Sequence, residues 1–198
     1  MVLQTQLDPL QVADWDSSLS SIIDEMNGEP LNVHKLMANN PALLKAWWNF
    51  RNYSITGGAL GTRLGELVIL RVAVHMRAWY EWASHVERSI VRGLSMDEIE
   101  RVRKVAPQGV FQESWEEGEA LLLAAVDELI ASQRLSPASL QKLKMHYDNQ
   151  QLIDLMAIHG MYIILGCMIN TWGLELDTSV QAKLPAMVNQ QQFEAELF

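Results

Sequence analysis

The six residues Tyr80-Glu81-Trp82-Ala83-Ser84-His85 carry the pattern in this chain that best suits acid–base chemistry. On an α-helix Glu81 and His85 stand four apart, so their side chains meet on one face. A carboxylate touching an imidazole orients the ring and raises its pKa, which suits proton transfer near neutral pH. Trp79, Tyr80 and Trp82 surround the pair with low-dielectric aromatic surface, which strengthens such coupling. Spacing alone leaves two readings open. One is a general acid/base pair. The other is an incidental pair on a solvated helix face, which is the commoner arrangement.

Glu66 and Arg71 interrupt an apolar run over residues 64–74, where an unpaired charge would be costly to bury. Being five apart, they point roughly 140° from one another on a helix. Each therefore needs a partner from another element or another subunit, and for Arg71 a structural ion pair is the favoured reading. The other histidines are less informative. His34, His75 and His146 fall near helix ends or on mixed faces, and His159 reads as a hydrogen-bonded core residue. Glu81 and His85 lack the i, i+3 spacing of di-iron bundles and no second such motif exists, so no metal ligands are expected. No nucleophile-elbow, phosphate-loop or dinucleotide motif is present, and no cofactor is expected.

The elements that must position these residues are helices throughout, because helical periodicity recurs and strand alternation does not. Expected helices cover residues 16–26, 33–38, 41 to about 56, 64–76, 79–93, a short one after Ser95, 113–132, 137–147 and 149–172. The pair 64–76 and 79–93 reads as a bent pair or one kinked helix. Asn40 with Pro41, Ser95 with Glu98 (a capping box) and Ser136 with Pro137 mark helix starts, while Thr56-Gly57-Gly58 and Gly173 mark ends. The short helix after Ser95 is expected to end near residues 105–107.

A chain of 198 residues that is 49% hydrophobic and 20% charged suits one all-α domain with a buried core. Its formal net charge of −9 opposes a nucleic-acid surface, which needs clustered Lys and Arg. The apolar stretch 155–169 is shorter than the ~20 residues a bilayer span requires, so no membrane association is expected and a buried helix is. The single cysteine, Cys167, excludes an intrachain disulfide or a Cys-x-x-Cys pair, and its apolar neighbours predict a small core residue. The first 16 residues lack the pattern of a secretory signal, and a cytoplasmic location is the expectation.

Several blocks resemble the carboxymuconolactone decarboxylase family, which includes the alkyl-hydroperoxidase D branch. They are the opening from Leu31-Asn32-Val33-His34 to Pro41-Ala42-Leu43-Leu44, Arg63-Leu64-Gly65-Glu66, Tyr80-Glu81-Trp82-Ala83-Ser84-His85, Gly93-Leu94-Ser95, and residues 149–170. The likeness spans roughly residues 30 to 175 and is most specific from Glu66 to Ser95. It implies a single-domain helical bundle over 30–177, with an N-terminal extension (1–29) and a C-terminal tail (178–198) that is loose or packs on a partner. It also implies a homo-oligomer, a trimer or a hexamer. By position the thiol relay of the peroxidase branch falls on Glu66, Ala78, Glu81 and His85, so both thiols are missing. The site is instead similar to the decarboxylase-type arrangement, with a carboxylate beside the histidine.

This resemblance favours a functional cleft over an incidental pair. It implies a cofactor-independent lyase or isomerase acting on a small, largely apolar carbonyl, lactone or acid. His85 would move the proton, Glu81 would orient it and raise its pKa, and Glu66 would form the second half of a relay. Tyr80, Trp82 and Trp79 are the expected substrate-binding residues. The rival readings are a non-catalytic binding or assembly protein on the same fold and, disfavoured by the absent cysteines, a residual peroxidase-type oxidoreductase.

Overall fold

The computed structural model describes residues 6–56, 58–103 and 115–195. Two 3-10 turns, Val12–Asp14 and Ser17–Leu19, lead into α1 (Ser20–Glu25) and α2 (Asn32–Met37). The body follows as α3 (Pro41–Ile55), α4 (Thr62–Met76), α5 (Trp79–Val91), α6 (Met96–Arg103), α7 (Glu117–Ser132), α8 (Pro137–Leu143) and α9 (Asn149–Trp172). The short α10 (Thr178–Gln181) and α11 (Gln190–Ala195) close it. The fold is all-α, with no strand among the described residues. The starts follow the capping chemistry. Asn40 accepts from Leu43 N at 3.1 Å, and Ser95 and Glu98 form the expected reciprocal box at 2.7 and 3.2 Å. The expected end of α6 at 105–107, a start of α7 at 113 and the marker Gly57 lie outside the described residues, while α8 ends at Leu143, short of the expected Tyr147.

The core is built on α4, buried without a break from Gly65 to Val74 and packed by α5, α6, α7 and α9. A helix apolar all round is stable only when enclosed like this. Arg71 reaches α7, donating to both carboxylate oxygens of Asp127 at 2.6 and 2.8 Å and to Val102 O at 2.7 Å. That is the structural ion pair the sequence called for. α4 and α5 are separate helices rather than one kinked helix. Arg77 takes a left-handed φ of 52°, Ala78 N donates back to Ala73 O at 2.9 Å, and the chain reverses. Residue 66 thereby meets residues 85, 89 and 92.

α9 is 24 residues long, and by length and composition it could cross a membrane; half of its most apolar window is buried inside the bundle. Gly166 lets it close on α4, since an added Cβ would lie 3.1 Å from Met76 Cβ. Its outer face leaves Ile153, Met156 and Ile164 exposed. Two expectations for this helix change. Cys167 sits on the exposed side rather than in the core, because an all-round apolar helix gives no sign of which face is outward. His159 is half-buried, and its Nε2 lacks the hydrogen bond expected of a core histidine.

The terminal segments pack on the same body. Leu10 N donates to Lys35 O at 3.0 Å, and Asn32 N to Asp177 Oδ1 at 2.9 Å. Phe193 of α11 is buried, stacked on Trp82 at 5.4 Å and tilted on Trp79 at 5.8 Å between centroids. Phe193→Ala should therefore lower stability by about 3 kcal/mol or more, the usual cost of emptying an aromatic core site. Urea denaturation checks this, and a change below about 0.5 kcal/mol would mean the tail does not dock.

Candidate active site

Glu66 is fully buried on α4 and is satisfied by side chains of α5. His85 Nδ1 lies 2.8 Å from its Oε2, Ser89 Oγ donates to the same oxygen at 3.1 Å, and Arg92 Nη1 donates to Oε1. His85 and Ser89 of α5 and Arg92, which caps its C-terminal end, lie along one stripe that supplies all three donors. Burial pushes the Glu66 carboxyl up, but His85, Arg92 and Arg88 outweigh it and hold the group below the usual carboxylate range. Glu66 is an anion.

An anionic Glu66 fixes the tautomer of His85. The carboxylate only accepts, so Nδ1 carries the hydrogen and Nε2 the lone pair. Nε2 faces the Tyr162 hydroxyl at 3.0 Å and Arg88 Nη1 at 3.4 Å. Burial lowers the pKa of His85, Glu66 works against that, and Arg88 and Arg92 lower it further. The net direction is downward, opposite to the expected rise, because desolvation and two guanidinium groups outweigh the carboxylate. His85 is a neutral base near pH 7. Tyr162 is held well above its ordinary pKa by burial, then by Glu81 and Glu66, and remains a phenol.

Glu81 has the opposite environment. Its Oε2 is 3.7 Å from His85 Nε2, too far for a hydrogen bond, and no hydrogen bond to its carboxylate is found among the described residues. Burial raises its pKa to about 7, with Arg88 opposing and Glu66 adding to the rise. The roles expected of the two carboxylates are thus exchanged. Glu66, across the helix pair, orients the imidazole; Glu81, on the same helix, holds a proton beside it.

Glu81, His85 and Tyr162 line a cavity of about 30 Å³, shared with Tyr80 and with residues of α2 and α3. The Tyr80 hydroxyl is already committed, donating to Asp177 Oδ2 at 2.5 Å and accepting from Val33 N at 3.2 Å. Trp82 and Trp79 do not line this cavity. Trp82 is core beneath Phe193, and Trp79 faces a separate groove beside the C-terminal segment. Sequence reasoning missed Tyr162, Ser89, Arg88 and Arg92. The last three sit four, three and seven residues from His85 and were within reach of the same helical spacing; Tyr162 had no local signal. Cys167 is exposed and is not among the residues lining the cavity that holds His85.

The Glu81 carboxyl should also mark the protein's stability. Its folded pKa lies above its ordinary 4.5, so the folded state keeps a proton that the unfolded chain has released. Its contribution is present below about pH 4.5, declines as pH rises to about 7, and is absent above. Glu81→Gln lacks this decline, so relative to wild type it should gain on the order of 3 kcal/mol between pH 5 and pH 8. Urea denaturation of both proteins at the two pH values measures it. Parallel pH dependence would show that Glu81 is an ordinary carboxylate.

Residues 41–125 match the Carboxymuconolactone decarboxylase family, which brackets Glu66, Glu81 and His85. No curated protein matches the sequence. Among solved structures, a variant of the debrominase Bmp8 in complex with 2,3,4-tribromopyrrole is similar with TM-score 0.72 at 18% identity over 99% of each chain. An uncharacterized peroxidase-related protein from Ralstonia eutropha JMP134, with an alkylhydroperoxidase AhpD core, gives 0.74 at 16% identity, covering 88% of this chain and 94% of that one. Another peroxidase-related protein, from Silicibacter sp. TM1040, gives 0.71 at 15% identity, covering 91% and 97%. At these identities the likeness is one of fold. Residues 41–125, just under half of the chain, are thus similar to the Carboxymuconolactone decarboxylase family, the whole is similar in fold to the alkylhydroperoxidase D-like helical proteins, and the sequence has no Cys-x-x-Cys pair.

Proposed function

We propose that this protein is a cofactor-independent lyase or isomerase that moves a proton to or from carbon on a small carbonyl, lactone or acid. The observation that carries this reading is the pair of opposite protonation states in one cavity. His85 presents a lone pair at Nε2, and 3.7 Å away Glu81 has a pKa raised to about 7. Two titratable groups driven apart by their surroundings make a natural base and acid.

In an isomerisation, Nε2 takes a proton from one carbon and Glu81 returns one to another. In a decarboxylation, carbon dioxide leaves and Glu81 protonates the carbanion left behind. Glu66 holds the ring and stabilises the imidazolium while the proton is on Nε2. Tyr162 donates to Nε2 when no substrate is present and is placed to turn that hydrogen bond onto a substrate oxygen. Peroxide reduction through a thiolate has no support here, because Ala78 and Glu81 stand where the related branch has cysteines.

The pH profile follows from the two groups. Turnover needs His85 neutral and Glu81 protonated, so kcat should fall as pH rises through about 7, and fall again below the lowered pKa of His85. His85→Ala and Glu81→Gln should each cost ~10²–10⁴-fold on any responsive lactone or keto acid, far from additively in the double variant. Without a substrate, nitrogen NMR should show His85 protonated only at Nδ1 at pH 7 and above; an imidazolium at neutral pH would overturn the assignment. Peroxide turnover with a dithiol that vanishes in Cys167→Ser would replace this reading with a thiol one.

The same reading includes self-assembly. The exposed Ile153, Met156 and Ile164 of α9 form an apolar face that a further copy of the chain would cover, giving a trimer or a hexamer. Light scattering at micromolar concentration tests this, and a monomer there would remove it.

A further inference from the structure

The cavity also holds polar groups to which the proposed proton transfer assigns no role. His34 on α2 and Ser84 on α5 are 5% and 4% exposed, and both line the cavity. His34 Nδ1 and Ser84 Oγ are buried with no hydrogen-bond partner among the described residues. Orphaned polar atoms inside a protein are rare and costly, and two on one cavity wall point to a missing ligand.

Two cations share that wall. Arg51 of α3 and Arg88 of α5 line the cavity, and neither is ion-paired with a carboxylate among the described residues. Arg51 donates to Asn52 Oδ1 at 2.9 Å and lies 4.8 Å above the Trp48 ring; among the described residues Arg88 reaches His85 Nε2, at 3.4 Å. The carboxyl nearest to hand, Glu81, is held largely protonated below pH 7 by its burial. The cost of this arrangement shows in the neighbours. Burial and then Arg88 lower the pKa of Arg51, and burial, Arg51 and Arg88 drive that of His34 to about 3. Two guanidinium groups and a neutral imidazole share this region without a carboxylate in ion-pair contact among the described residues; Glu25 acts on Arg51, and Glu66 on Arg88, only at longer range.

We propose that Arg51, Arg88, Ser84 and His34 form a carboxylate-binding subsite, and that the ligand is a small monocarboxylic acid. A carboxylate has about four acceptor positions, and this wall offers four donor groups: two guanidiniums, a hydroxyl and an imidazole N–H. The cavity of about 30 Å³ has room for a planar two-oxygen group. The apolar body of the acid lies toward Met37, Met161 and Leu165, and methionine side chains shift readily to admit it. For where the bound acid presents its reacting carbon, the inference rests on the proton-transfer reading; for binding it does not.

The test titrates propionate and its neutral isostere propionamide into the isotope-labelled protein in chloride-free buffer, following the His34 ring and the Trp47 indole by NMR. Propionate should saturate, with both probes shifting, and propionamide should bind at least tenfold more weakly. Arg51→Gln and Arg88→Gln should each weaken propionate by about ten- to a hundredfold, and Arg51→Lys should restore most of the loss. If the Gln variants prove misfolded by circular dichroism, Ser84→Ala serves, with an expected loss of about two- to tenfold. Equal binding of acid and amide, saturation without shifts at His34 and Trp47, affinity indifferent to these substitutions, or no saturable binding would each overturn the subsite. Propionate binding by a protein that turns over no acid would leave the subsite standing and remove only the reaction. Turnover of neutral lactones without acid binding would do the reverse.

Discussion

A carboxylate with no exposure to water, Glu66, is the constraint on which the rest of the site depends. Removing such a group from water costs several kcal/mol unless donors meet it, and here they come from His85, Ser89 and Arg92 on the neighbouring helix. The requirement is geometric as well as energetic. α4 and α5 must reverse at Arg77, and in one register, for a single stripe of α5 to reach residue 66. The ion pair therefore fixes the helix hairpin and the imidazole together. The buried Arg71, paired to Asp127 of α7, fixes the opposite side of α4 by the same logic.

Glu81 shows what happens to the same side chain without donors. It lies one helical turn from His85 and in the same low-dielectric interior, but no N–H or O–H among the described residues donates to it. Desolvation then dominates and the proton stays on to about pH 7. The difference between an anion and a poised acid is thus set by hydrogen-bond supply, since both groups are buried. Arg88 links the two, lowering the pKa of each carboxyl and of the imidazole between them.

The helices were legible because their signals are local. Asn40-Pro41 and the Ser95/Glu98 box each satisfy a helix end with residues a few positions apart. So was the need for distant partners at Glu66 and Arg71, from the cost of burying charge. The identity of those partners was not legible. Spacing of four brought Glu81 within 3.7 Å of His85 but cannot tell proximity from a hydrogen bond, and the true partner depends on a left-handed turn at an arginine. The Trp79–Trp82 cluster looked like a pocket wall because aromatic residues suit both roles. Phe193, more than a hundred residues away, decides that Trp82 is core. Parts of the likeness are structural too. Arg63 ties α4 to α6 and α7 through Gly93 O, Glu98 and Glu119.

The site divides its labour along the chain. Glu66, Glu81 and His85 lie within residues 41–125, on the α4–α5 hairpin. Half the cavity wall comes from outside that segment. His34 and Met37 belong to α2, and Met161, Tyr162 and Leu165 belong to α9. The proposed proton transfer would need fixed distances, and its residues sit on a hairpin locked by a buried ion pair. The flanking helices supply shape by packing over that hairpin, while the charged and polar groups of the proposed subsite come from Arg51 of α3, from Ser84 and Arg88 of α5 and, outside the segment, from His34. A hairpin whose register is held by its own carboxylate tolerates new neighbours. The flanking segments can therefore change what the cavity accepts while His85 keeps its orientation.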